Sequence, residues 1–155
     1  MSKTTLCLGV VDVPYRSRGK NAKAVTTFDV AKILEAKYGL MEKFYEVHKE
    51  EIAADAASSM EGALEALLGG SGWSGYRVVD PYGRAMQQIQ SRFRDFISSR
   101  EAERVGIPGT PTKAALAGVN HRLKHPYAKS NPRRPSFRDI GLYMASFRAW
   151  VSTEK

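Results

Sequence analysis

Histidines and carboxylates are the residues here whose types could do chemistry. His121 and His125 stand four apart, which puts two imidazoles on one helix face and begins a metal site. No HExxH context surrounds them and no carboxylate or thiol lies close by in sequence as a third ligand, so no metal and no other cofactor is expected. Glu46, Glu50, Glu51 and Asp55 invite an acid/base reading, but at these spacings they decorate the solvated side of a helix. His48 falls on an apolar stripe and is expected to be packed. Cys7 is the lone cysteine, so no internal disulfide forms. With no helix start or basic neighbour to activate it, it is expected to be a small buried hydrophobe. GGSGWSG is rich in glycine but lacks the Lys-Ser/Thr that completes a phosphate-binding loop. With no GxSxG, CxxC or Ser/His/Asp set in recognisable context, the expectation is a protein that is not an enzyme.

Charge is more informative than any such motif. The 155 residues carry a net charge of +8. Residues 1–78 hold 10 Lys/Arg and 10 Asp/Glu, whereas residues 79–155 hold 14 and 6, so the second half carries the whole excess. Seven bases and one acid, Asp139, fall within 121–148, against seven acids and two lysines within 40–68. Such a chain attracts copies of itself head to tail or offers its basic end to a polyanion. No run reaches the roughly 18 apolar residues of a membrane helix. MSKTTLCLGVVDV, broken by Gly9 and Asp12, is a poor signal peptide, so synthesis in the cytosol is expected.

The elements that must position these residues fit a single α+β domain over 1–155, mostly helical. Thr4 to Val13 is β-branched and apolar, and Pro14 ends it, so it is expected to be a strand. RSRGKNAK, within a flexible basic loop over 16–25, leads to a helix started by Thr26 and Asp29. Val30, Ile33, Leu34 and Tyr38 form the stripe of that helix, and Gly39 is its stop. From Leu40 the series Met41, Tyr45, His48, Ile52, Ala56, Met60, Ala63, Leu67 predicts one amphipathic helix of about 40 Å. A glycine-rich hinge over 69–79 follows, in which Trp73 is either an interface anchor or a core lid. Asp80 and Pro81 open the next helix, with Tyr82, Met86, Ile89, Phe93 and Phe96 as its stripe. Ser98 and Glu101 predict a short continuation to Gly106. Thr110-Pro111 predicts a helix through Leu116, Val119 and Leu123. A helical turn over 140–146 and a strand to 151, paired with the amino-terminal strand, complete the small sheet. A helix-turn-helix reading of 26–53 fails, because the second helix would carry Glu42, Glu46, Glu50 and Glu51 into the major groove.

In SNPRRPSFRDIGLY, prolines at 132 and 135, with Pro126 before them, make 124–139 an extended Pro/Arg docking loop whose backbone polar groups need water or a partner chain.

The run GIPGTPTKAALAGVNHRLKHPYAKSNPRRPSFRDIGLYMASFRAWV, residues 106–151, resembles the carboxy-terminal part of neck and tail-completion proteins of tailed bacteriophages. The order of elements along 4–68 is compatible. The resemblance rests on a basic, proline-bearing loop, an Asp-Thr-Gly-Leu type turn and a Ser-aromatic pair. Here these are Arg133, Arg134, Pro135, Phe137, Asp139, Gly141, Leu142, Ser146 and Phe147, with Ile140 where threonine is expected. It implies a structural virion protein, tail terminator, tail-completion protein or neck adaptor, made in the host cytoplasm and located at the head-to-tail junction. Copies would form a sixfold or twelvefold ring around the DNA channel, against neighbouring neck, connector or tail-tube proteins. The expected interface comprises Trp73, Pro132, Arg133, Arg134, Pro135, Phe137, Asp139, Tyr143, Phe147 and Trp150. Arg122, Lys124, Lys129, Arg133, Arg134 and Arg138 would meet phosphates of genomic DNA without reading sequence. The alternative, supported by a pI near 9.7, is a free-standing, sequence-nonspecific DNA-binding protein.

Overall fold

The two ends of the chain pair with each other. β1 (Lys3–Val10) and β2 (Phe147–Glu154) form a two-stranded antiparallel sheet in which Leu6 faces Val151, Leu8 faces Ala149 and Val10 faces Phe147. Strand alternation puts these pairs on one side, against the core, and leaves Cys7, Gly9 and Trp150 on the other. The indole of Trp150 lies over Gly9, where an added Cβ would meet its ring at 2.9 Å. The structure, a computed structural model, describes residues 3–15, 24–69 and 80–154. Most of the basic loop 16–25, and all of the hinge 69–79 beyond Gly69, including Trp73, lie outside the described residues.

Beyond β1 the chain is tied to the start of α1 (Thr27–Tyr38). The buried Thr27 hydroxyl donates to Val11 O (2.6 Å) and accepts from Val13 N (2.8 Å), so the predicted strand stops at Val10, short of Val13. Thr26 and Asp29 form a reciprocal capping box, as the sequence predicts. Gly39, at φ 56°, ends α1 and begins α2 (Leu40–Leu68), and the Glu35 carboxylate accepts from Met41 N and Glu42 N at the free end of that helix.

The buried face of α2 runs through Leu40, Phe44, His48, Ile52 and Ser59. Tyr45, Met60 and Leu67, expected on that face, are exposed. The helix carries apolar residues on adjacent positions, and α3 (Gly83–Ser98) selects Phe44 rather than Tyr45. Phe44 meets Phe93 edge-on at 5.1 Å, and Phe93 stacks on Phe147 at 3.8 Å, so α2, α3 and β2 share one aromatic core. Met86, Ile89, Phe93 and Phe96 of α3 are buried as predicted. Asp80 stands before the helix as expected, accepting from Tyr82 N at 3.0 Å, but Tyr82 takes the cap position.

Short elements finish the chain: α4 (Glu101–Arg104), α5 (Lys113–Leu116) and α6 (Leu142–Ser146). α5 is capped by the Thr112 hydroxyl rather than Thr110 and ends well before Leu123. Ala115 is its buried residue, while Leu116 and Leu123 are exposed. The helical turn and strand predicted for the carboxy-terminal segment are present as α6 and β2. No helix among the described residues is long and apolar enough to cross a membrane.

Candidate functional site

The basic segment between α5 and α6 folds on itself. Residues 121–131 are turns and bends, and irregular backbone follows at 132–135. At the crossing, Gly118 adopts φ 65°, and a Cβ there would lie 2.5 Å from Asn131 O and 2.6 Å from Pro132 O, so only glycine fits. Arg134 lies beneath: its guanidinium donates to the carbonyls of Val119, Pro135 and Arg138, while its backbone N–H donates to Ala115 O. Five donors in a fixed fork suit this task. Burial pushes the Arg134 pKa down, opposed by the charge of Asp139. The Asn131 amide donates to His125 O and Pro126 O, and Arg122 donates through two nitrogens to Ile140 O.

The loop is anchored to α4 by Glu103, whose side chain is only 6% exposed. One carboxylate oxygen accepts from Ser136 N and Ser136 Oγ, both at 2.8 Å, and the other lies 2.5 Å from Arg133. Burial raises the pKa of this carboxyl, but the bonds from Ser136 and Arg133 outweigh it and hold Glu103 below the usual carboxylate range. Arg100 adds a bond to Arg133 O at 3.2 Å. The loop's backbone was expected to require water or a partner chain; its own arginines, Asn131 and Glu103 satisfy much of it instead. Pro/Arg segment 124–139 is therefore a stapled knot rather than an extended arm.

A second closure joins the two ends of the knot. Asp139 accepts from His121 N at 2.9 Å and lies 2.5 Å from His121 Nδ1, and Tyr127 Oη lies 3.0 Å from Nε2. Nδ1 thus shares a hydrogen bond with the carboxylate and Nε2 another with the Tyr127 hydroxyl. Carboxylate, imidazole and phenol in line is the arrangement that activates a nucleophile. Tyr127 is 69% exposed, and these contacts join the two ends of the knot. His121 and His125 do not share a helix face, because residues 121–125 form turns and bends. No group of three or more possible metal ligands exists among the described residues.

The residues expected at the interface separate into three sets. Tyr143 and Phe147 are buried in the chain's own core, with Phe147 stacked on Phe93, which corrects their assignment to a partner surface. Burial, then the charge of Glu35, also drives the Tyr143 phenol pKa strongly upward. Arg133, Arg134, Phe137 and Asp139 serve the knot: Phe137, at φ 65°, packs edge-on against Tyr38 at 5.0 Å. Pro132 is exposed, Pro135 half-buried and Trp150 47% exposed, so Pro132 and Trp150 present surface. Among the expected phosphate contacts, Arg122 and Arg134 are engaged with carbonyls and Arg133 with Glu103. The side chains of Lys124, Lys129 and Arg138 make no hydrogen bond or ion pair among the described residues. Glu103, Ser136 and the His121–Asp139 pair went unrecognised in the sequence: their partners lie 18 to 33 positions away and leave no local pattern.

The chain matches no protein-family model, no curated protein and no solved structure.

Proposed function

We propose that this chain is a structural subunit of the bacteriophage head-to-tail junction, a tail terminator, tail-completion protein or neck adaptor, with no catalytic role. In this reading copies assemble into a ring around the DNA channel of the virion and contact neighbouring neck, connector or tail-tube proteins. The observation that carries it is the separation of charge on a pre-shaped scaffold. Residues 50–68 of α2 contain five acids and no Lys, Arg or His, while residues 113–129 contain four Lys/Arg and no acid. Among the described residues the knot that carries the bases is fastened to α4 through Glu103, and while Glu51 and Asp55 pair with His48 and Arg92, the Glu61 and Glu65 side chains of α2 are left for another molecule. A subunit that binds copies through unlike surfaces closes a ring when the rotation per step permits. The stapled loop supports the same role, since a preorganised surface loses less freedom on docking.

A free-standing DNA-binding protein is the second reading, supported by the side chains of Lys124, Lys129 and Arg138, which are unpaired among the described residues. The two separate in a titration of the full chain with duplex DNA between about 50 and 200 mM salt. The junction reading expects weak binding with a shallow salt dependence. Affinity that falls by about a thousandfold or more over that range supports the second reading and overturns the first.

A further inference from the structure

α2 is much longer than α3, the helix it packs on. Its 29 residues span about 43 Å against about 24 Å for the 16 residues of α3. Beyond Ile52, Ser59 is its only buried residue among those described. Met60, Leu64, Leu67 and Leu68 follow at spacings of four, seven and eight and therefore share one face, and they are 48–80% exposed. Glu61 and Glu65 stand one position further round, along the solvent edge of this apolar stripe. Neither side chain makes an ion pair or hydrogen bond among the described residues, unlike those of Glu51 and Asp55, which are tied to His48 and Arg92.

The same chain carries a surface of matching character and opposite sign. The knot exposes Leu123 and Tyr127 beside Lys124 and Lys129, and neither lysine side chain has a partner among the described residues. We infer that the distal half of α2 docks on the knot of a second copy of this chain. The apolar stripe meets Leu123 and Tyr127, and Glu61 and Glu65 meet Lys124 and Lys129. Because two different surfaces are used, the contact is heterologous, and each bound copy leaves one of each surface free for the next. The inference rests on the ring of copies proposed above and names the surfaces that build it.

Charge reversal on each side tests it in the full chain. One variant carries Glu61→Lys and Glu65→Lys, the other Lys124→Glu and Lys129→Glu; all four side chains lie at the surface, and helical circular dichroism verifies each fold. Sedimentation velocity should show wild-type chain associating, each variant alone weakened at least tenfold, and an equimolar mixture associating again. The mixture recovers because every contact between unlike variants is again between opposite charges. Leu64→Ser should weaken association without lowering the melting temperature. Wild-type chain that stays monomeric at every concentration overturns the inference, as does a mixture that fails to recover. Wild-type association that neither reversal disturbs overturns this contact while leaving the junction reading, which fails instead on the DNA titration. Loss of thermal stability in Leu64→Ser with association unchanged assigns the stripe to the chain's own residues, and also overturns it.

Discussion

Glu103 and Arg133 meet at 2.5 Å, joining a carboxylate on α4 to an arginine thirty positions later in the basic knot. Ser136 occupies the other oxygen of the same carboxylate with two hydrogen bonds, so one buried acid determines where the knot sits. Glu103→Gln should lower unfolding stability in urea by about 1–3 kcal/mol, since it weakens three bonds to a charged acceptor. A loss below about 0.3 kcal/mol would show that the knot is held elsewhere.

The same carboxylate makes stability depend on pH. Its folded-state pKa lies below the unfolded value of 4.5, as does that of Glu51 beside His48. These groups stabilise the fold fully above the unfolded pKa, and the contribution disappears as pH falls through the folded pKa. Melting temperature should therefore decline on acidification below about pH 4.5, and Glu103→Gln should flatten part of that decline. An identical slope in the variant would remove Glu103 from the account.

Two glycines should respond with opposite sign. Gly118→Ala places a methyl on the carbonyls of Asn131 and Pro132 at a positive φ and should cost about 1–3 kcal/mol. Gly62→Ala, in a helix interior with open space around it, should raise stability by about 0.4–1 kcal/mol. Denaturant curves for the pair, run with wild type, check both.

Phe147 and Trp150 are three residues apart on β2 and should also differ. Phe147→Ala removes a fully buried ring stacked on Phe93 and should cost about 3–5 kcal/mol. Trp150→Ala, which uncovers Gly9 on the outer face of the sheet, should cost clearly less. Equal losses would contradict the division between core and outer face.

Much of the fold was legible because local signals agreed with tertiary packing. The capping box at Thr26 and the stripe of α3 are set by residues close in sequence, and the alternation after Phe147 matched the alternation of β1. The predicted stripe of α2 holds at His48 and Ile52 and departs at Tyr45 for an identifiable reason: Leu40 and Phe44 neighbour Met41 and Tyr45, so two adjacent stripes are apolar, and the position of α3 decides between them. Ser59 is buried without any hydrophobic signal. The knot was less legible still, because Arg134 bonds to backbone carbonyls, which no sequence pattern displays. Its arginines were read as outward-facing, whereas Arg122, Arg133 and Arg134 turn to the chain's own acceptors.

The most direct test of the claim that copies complete this surface is the molar mass of the full chain by light scattering as concentration rises at near-physiological salt. A heterologous contact that closes predicts a plateau at one discrete multiple of the 17.2 kDa chain. A mass that stays at one chain throughout, or climbs without limit, would contradict it.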